Sequence, residues 1–384
     1  MSDPIRRPVT YGDGAVEALP QLVADLERRR VLLVTGRRSF EASGAQRVLP
    51  ALEAAAQVRR FSDFSPNTDV DDLALGLVEV ARFDPDLIVA IGGGSALDLA
   101  KLLCAFRGTT DPDELRSGIR SGHRIDRRDT ALILVPTTSG SGAEATHFAV
   151  VYIGDEKFSV GSPALLPDRV VLDPQLSVTG SAYQRATSGI DAVAQAVESL
   201  WATGATDRSR RFARHALRLL LPHLERFVEQ PTDEPARAMA LGSHLAGRAI
   251  DISRTTAAHA LSYGITKGYG VSHGHAVALT LGPFIEAHAA AAAGDLQPGV
   301  DAALHARVME RVTALLGATS GTDARDRFVA MIERLGLVSR LSDVGVVTAD
   351  QRAALVDGVN VERLGNNPVA FDSAQLLSLV ERAA

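Results

Sequence analysis

The chain has little of several things that would bias a reading of it. Its 384 residues include one cysteine, Cys104, and one tryptophan, and aromatic residues make up only 5%. A single cysteine excludes an intrachain disulfide and any zinc or iron–sulfur site built on several thiolates. There is no excess of positive charge. The net charge of -6 gives no general support for binding nucleic acid or an anionic membrane, although it is compatible with a local basic patch. No run approaches the ~20 apolar residues of a membrane helix. The leading residues Met1 to Arg7 have no apolar stretch after their arginines and do not read as a secretory signal. Cytoplasm is therefore the expected compartment. What remains, 46% apolar and 22% charged residues, is ordinary globular composition, long enough for two domains and a large core.

The first part alternates strand and helix patterns. Val31 to Val34 is a short apolar run ending at Thr35-Gly36, as expected of a buried parallel strand. Val58 to Phe64 is a second candidate. Residues 69–83 have helical spacing behind an acidic cap. Leu87 to Ile91 predicts a strand, three glycines follow at once, and Ser95 to Phe106 predicts a helix. Leu132 to Val135 is the next strand, closed by Pro136. His147 to Ile153 and Lys157 to Val160 predict a hairpin turning at Gly154-Asp155-Glu156. Val170 to Leu172 is the last strand. Beyond about residue 180 helical patterns take over: Ser188 to Ala202, Asp207 to Gln230, Glu234 to Ile250 and others, with Pro231 and Pro235 as punctuation. The Ala289 to Ala293 run reads as helix former. The expectation is an α/β domain over 1–180, doubly wound with helices on both faces, and an all-helical domain over 181–384, with a cleft between them.

Two loops follow strands and suit a dinucleotide. Gly92-Gly93-Gly94-Ser95 puts backbone N–H groups at a helix N-terminus, where unpaired donors and the helix dipole favour phosphate. It is not GxGxxG, so a ligand-free tight turn is the competing reading. Asp98, a candidate cofactor contact, and Lys101 follow on the same helix; alone the two would be an i,i+3 pair on a solvated face. The second loop is Pro136 to Gly142, with Thr137, Thr138 and Ser141 as hydroxyl contacts. At the end of the Val31 strand stand Gly36, Arg37, Arg38 and Ser39. An acid there would accept a ribose 2′-hydroxyl. A glycine with two arginines tilts the choice toward a 2′-phosphate, and so toward NADPH, unless both arginines are plain surface residues.

Asp191 and Gln195 are i,i+4 on one predicted helix face, and His259, His273 and His275 come later. A carboxylate with two or three imidazoles suits a first-row divalent metal that polarises a carbonyl. Spacing alone is weak support, because the chain has ten histidines. His215, His223 and His244 are read as core or surface residues.

GGGSALDLAK (92–101), PTTSGSGAE (136–144), Gly189-Ile190-Asp191-Ala192 and His273-Gly274 together resemble the iron-containing, group III alcohol dehydrogenase family over nearly the whole chain. The resemblance implies a Rossmann-like N-terminal domain that binds NAD(P) and a helical domain that binds Fe²⁺ or Zn²⁺, the dehydroquinate synthase-like fold. It implies metal ligands at Asp191, His259 and His273. Where the family's fourth ligand is a histidine, this chain has Gln195. Three arrangements stay open: Gln195 as a weaker ligand, three ligands completed by water, or no metal. A further histidine of the family is replaced by Tyr263, so Tyr263 or His275 would take the proton-relay role. Lys157 is a weaker candidate for a cofactor contact.

Segments 146–152, 194–199, 259–263, 273–279 and Asn366-Asn367-Pro368 are similar to the phosphonoacetaldehyde reductase branch. That branch implies NADPH- or NADH-dependent reduction of a small aldehyde to a primary alcohol, phosphonoacetaldehyde to 2-hydroxyethylphosphonate in phosphonate biosynthesis. His147, Arg254 and Lys267 are the candidates for holding such a substrate. The alternatives are another iron-type alcohol dehydrogenase, a maleylacetate-type reductase and, more distantly, a dehydroquinate synthase-like lyase. A non-enzymatic binding protein is disfavoured by the coincidence of cofactor loops and acid–histidine set. Family analogy implies a homodimer.

Overall fold

The computed structural model describes residues 8–109, 111–122, 125–154, 156–359 and 364–384. The leading segment 1–7 and Asp155 of the expected hairpin turn lie outside the described residues. The chain divides into two compact units, Met1–Gly180 with Pro231–His244, and Ser181–Gln230 with Leu245–Ala384.

Among the described residues the first unit has eight strands: β1 Val9–Tyr11, β2 Arg30–Thr35, β3 Gln57–Phe61, β4 Leu87–Gly92, β5 Ala131–Pro136, β6 Phe148–Ile153, β7 Glu156–Gly161 and β8 Arg169–Leu172. Six form a parallel sheet in the order β1-β8-β5-β4-β2-β3. β6 and β7 pair antiparallel as the expected hairpin. The helices are α1 Leu19–Asp25, α2 Ser39–Ala42, α3 Leu49–Ala55, α4 Val70–Phe83, α5 Gly94–Ala105 and α6 Pro112–Arg120.

Alternate residues of the central strands feed two cores. Leu32, Val34, Ile88, Ala90, Leu132 and Leu134 pack with Leu73, Leu77, Leu99 and Leu103 of α4 and α5. Val31, Leu33, Leu87, Val89, Ile133 and Val135 pack with Leu19, Val23 and Leu52 of α1 and α3. Burial on both faces is why these strands read as continuous apolar runs. Each fully buried Leu or Ile contributes roughly 1.5–3 kcal/mol. The doubly wound expectation is met. β1 escaped sequence reading: it has three residues, and Val9 and Tyr11 are exposed. β3 ends at Phe61, short of the expected Phe64.

The second unit is helical: α7 Ala182–Trp201, α8 Asp207–Glu229, α9 Asp233–Ser253 (shared with the first unit), α10 Ala257–Tyr269, α11 His273–Ala290, α12 Ala302–Leu315, α13 Gly321–Arg334, α14 Ala349–Asp357 and a last helix Ser373–Arg382. α7 begins six residues before the expected Ser188, because the Ser181 side chain accepts from Gln184 N and caps it there. α11 ends at Ala290, so the alanine run is not all α-helix: Ala291 turns extended at φ -66, ψ 128. No described helix is long and apolar enough to cross a membrane.

Candidate metal centre and cofactor loops

In the first unit, sheet register brings the cofactor loops together. β2 and β4 are neighbours from which the chain continues to opposite sides, to β3 and β5. This is a switch point, where ligands bind beyond the strands' carboxyl ends. Gly92 pairs with Pro136, so the two loops leave the sheet side by side, and Thr137 N donates to Gly92 O at 2.9 Å. A Cβ on Gly94 would lie 2.9 Å from Ser141 Oγ and 3.1 Å from Ser141 Cβ. The helix start and the hydroxyl loop therefore touch because residue 94 has no side chain. Gly93 caps α5 in extended conformation with no side chain closing the helix end. These are features that fit a pyrophosphate. Ser95 is tied down, its Oγ accepting from Asn67 N at 3.1 Å.

The solvated-face reading of Asp98 and Lys101 is wrong. Lys101 is fully buried, and its Nζ donates to the carbonyls of Thr146 and Phe148 at 2.7 and 2.8 Å. It is a structural pin for the segment leading into β6. Asp98 Oδ2 accepts from Val150 N at 3.1 Å. Burial raises its carboxyl to about 6, against the lowering charges of Lys101 and Lys157. Lys157 is half-buried on β7, and His147 lies half-buried just before β6.

Arg37 and Arg38 are exposed beyond β2. Arg37 pairs with Asp63. A third arginine, Arg60, joins them: its Nε donates to Thr35 Oγ1 at 2.7 Å and its Nη1 meets Glu41 Oε1 at 3.0 Å, over the Phe40 ring. Sequence reasoning missed Arg60, which the parallel β2–β3 register carries to this edge. It also missed the support from α9. Ser243 Oγ donates to Gly140 O at 3.1 Å, and His244 Nδ1 lies 3.0 Å from Glu144 Oε1, both side chains buried. His244 is thus a core residue, as expected, and one that anchors the PTTSGSGAE loop.

In the second unit, α7, α10 and α11 bring three ligand-type side chains together. Asp191, His259 and His273 offer donor atoms within 4.8 Å of one another. Gly274 makes this approach possible: a Cβ there would meet Thr187 O at 2.0 Å and Asp191 Cβ at 2.6 Å. His259 Nε2 lies 3.4 Å from Asp191 Oδ1 and is buried with no hydrogen-bond partner among the described residues. A buried carboxylate facing a bare imidazole nitrogen, with a second imidazole alongside, fits a divalent first-row metal. Gln195 is 4% exposed, and its Nε2 donates to Asp191 Oδ2 at 3.0 Å. Only the nitrogen end of the amide can make that bond, because a carboxylate accepts and does not donate. Ser262 Oγ donates to His259 O at 2.7 Å and turns its lone pair to His273 Nδ1 at 3.3 Å.

Glu198, given no role in the sequence reading, is fully buried and bonds His259 Nδ1. Its i,i+7 spacing from Asp191 was the available signal. Burial favours neutral His259, but the carboxylates of Glu198 and Asp191 outweigh it and push the imidazole up to about 10. Burial would raise Glu198 too; the His259 charge and hydrogen bonds hold it below the usual range.

Tyr263 is half-buried, its ring stacked 6.1 Å from that of His273. His275 is buried and engaged elsewhere, its Nε2 on Val338 O at 2.8 Å. Burial holds it below its ordinary value. Arg254 follows α9, half-buried in the left-handed region at φ 60. Lys267 is exposed on α10.

Family models agree with both units. Residues 7–174 match the iron-containing alcohol dehydrogenase model, and residues 185–384 match the C-terminal model of the Fe-containing alcohol dehydrogenase family. The chain is 31% identical over 316 residues to phosphonoacetaldehyde reductase of Streptomyces viridochromogenes, covering 80% of this chain and 79% of that one. It is 29% identical over 384 residues to long-chain-alcohol dehydrogenase 1 of Geobacillus thermodenitrificans, covering 95% and 93%. Among solved structures, sulfoacetaldehyde reductase of Bifidobacterium kashiwanohense in complex with NAD+ superposes with a TM-score of 0.88 at 27% identity, covering 100% and 99%. The chain belongs to the iron-containing alcohol dehydrogenase family and is an oxidoreductase of that family.

Proposed function

We propose that the protein reduces a small anionic aldehyde to its primary alcohol with a nicotinamide hydride, phosphonoacetaldehyde to 2-hydroxyethylphosphonate foremost, within phosphonate biosynthesis. The observation that carries this is the Asp191–His259–His273 group in a chain similar to phosphonoacetaldehyde and sulfoacetaldehyde reductases. Both names describe a two-carbon aldehyde with an acidic group.

Asp191, His259 and His273 would hold the metal, with Gln195 beside them. When bound, a divalent metal supplies Lewis-acid polarisation of a carbonyl oxygen and stabilises developing negative charge. The chain's residues do the rest. Gly92 to Ser95, Asp98, Thr137, Thr138, Ser141 and Lys157 bind and orient the dinucleotide. Gly36, Arg37, Arg38 and Ser39, with Arg60, face the adenosine ribose. With no acid at Gly36, the arginines favour NADPH. Tyr263 Oη delivers the proton to the product alkoxide, directly or through water. His275 is a poorer candidate, because Val338 O occupies its Nε2. Arg254, with Lys267 and His147 as weaker candidates, would meet the anionic group. We take the enzyme to be a cytoplasmic homodimer, on family analogy.

Comparing kcat/KM for phosphonoacetaldehyde, sulfoacetaldehyde and acetaldehyde tests the substrate. Preference for the anionic aldehydes is expected, and preference for acetaldehyde would refute the assignment. A general alcohol dehydrogenase is the second reading, favoured by the likeness to the long-chain enzyme over the whole chain. Net NADPH consumption would exclude a lyase that uses its nicotinamide only transiently.

A further inference from the structure

We propose that Glu198 is the positioning residue of the metal centre: it locks His259 with the proton on Nδ1 and Nε2 turned toward Asp191, and so sets how tightly the centre holds a divalent cation. The inference rests on the metal reading above and names a residue outside the ligand set.

Glu198 sits on α7, seven residues after Asp191 and three after Gln195, on the same face of the helix. It is 0% exposed, so its two oxygens have only protein partners to choose from. Oε1 takes three donors: Thr256 Oγ1 at 2.8 Å, Ala258 N at 3.1 Å and His259 N at 3.4 Å. The last two are orphan N–H groups of the first turn of α10. Thr256, the N-cap of α10, makes no side-chain cap bond to its own helix. Its hydroxyl proton goes to Glu198, and its lone pair receives Trp201 Nε1 at 3.0 Å. A carboxylate from α7 thus does the capping that Thr256 does not, and it adds a negative charge at the positive end of the helix.

With Oε1 filled, Oε2 is left to His259 Nδ1. An ionised carboxylate only accepts, so Nδ1 keeps its hydrogen, and Nε2 is the nitrogen that would give up its proton and offer a lone pair to a cation. That nitrogen is the one facing Asp191 Oδ1 at 3.4 Å. The backbone bond to His259 N and the side-chain bond to its Nδ1 come from one carboxyl group. Ring position and tautomer are therefore fixed together. A carboxylate behind a ligand imidazole also makes it a stronger donor, and losing such a partner typically weakens metal affinity about 10- to 100-fold.

Glu198→Gln keeps the shape. Its amide has one acceptor oxygen for the four donors and must turn an N–H₂ group against either the helix start or the imidazole. Thr256→Val is the control, because it weakens the cap and leaves Oε2 on Nδ1. Purified full-length proteins are stripped of metal and titrated with Co²⁺, followed by its visible absorption, with thermal melting alongside. We expect about 10- to 100-fold weaker Co²⁺ binding in Glu198→Gln. Thr256→Val should melt lower and bind as the wild type does. Wild-type affinity in Glu198→Gln would overturn the proposal. So would equal weakening in both variants, which would reduce Glu198 to a helix cap. A wild type that binds no Co²⁺ would instead bring down the metal reading itself. Should Glu198→Gln fail to fold, nitrogen-15 NMR of the Zn²⁺-loaded wild type, assigned with His259→Gln, decides the matter. A protonated Nδ1 supports the proposal, and a protonated Nε2 contradicts it.

Discussion

Gly274 and Asp191 are packed so closely that a Cβ on the glycine would lie 2.6 Å from the Asp191 Cβ. The contact brings the first turn of α11, and with it His273, against the acid of the proposed metal centre. In Gly274→Ala the added methyl also collides with Thr187 O, a backbone atom that cannot swing aside. Overpacking of this kind costs about 1–3 kcal/mol. We expect the variant to lose bound metal and activity together, measured by elemental analysis and turnover. Wild-type metal content would show that α11 can shift without opening the centre.

A second prediction concerns acid. His288 is fully buried, stacked on Trp201 at 4.4 Å, with Nε2 on Asn367 Oδ1 at 3.1 Å. Burial, helped by nearby His305, pushes its imidazole down to about 3. Unfolded, it would titrate near ~6.5. Between those values the unfolded chain binds more protons than the native one, so stability falls as pH drops from about 6.5 toward 3. Denaturant unfolding of His288→Phe across this range should show a shallower pH slope than the wild type. An unchanged slope would assign the acid sensitivity to other groups.

The outer geometry of the cofactor half was legible in the sequence, because strands buried on both faces announce themselves as apolar runs and their loops follow at once. The supports were not. Arg60 reaches the β2 edge only through strand register, and Ser243 and His244 come from a helix a hundred residues further along the chain. In the helical unit, the gathering of Asp191, His259 and His273 was legible through family motifs. Glu198 was hidden among ordinary helix formers, since its i,i+7 spacing from Asp191 marks a shared helix face and not the imidazole that it meets. The role of Lys101 was misjudged because a lysine reads as solvated until its ammonium is seen surrounded by carbonyls.

Cofactor choice is testable at Arg37. A phosphate held by this guanidinium has to compete with Asp63, its present partner. Charge-assisted hydrogen bonds contribute about 1.5–3 kcal/mol. Arg37→Ala should therefore weaken NADPH binding roughly tenfold to a hundredfold while leaving NADH nearly unchanged, as read by calorimetry. Equal effects on both would remove the 2′-phosphate assignment.

The buried Glu144–His244 pair should matter to the dinucleotide and not to the metal. In His244→Ala the buried Glu144 carboxyl loses its hydrogen-bond partner, and leaving such a group unsatisfied costs roughly 1–3 kcal/mol. Weaker NAD(P)H binding and a lower melting temperature are expected, with metal content intact. An unaltered cofactor Kd would show that the Pro136–Gly142 loop holds its shape without α9.

The central claim is an aldehyde reductase that works through a metal held at Asp191, His259 and His273. Its most direct test is to strip the protein of divalent cations, return Fe²⁺ or Zn²⁺ in steps, and follow bound metal and NADPH consumption with phosphonoacetaldehyde together. The expected result is activity that rises in proportion to bound metal and saturates at one ion per chain, with Asp191→Ala inactive throughout. Full activity in a preparation shown to be free of metal would contradict the account.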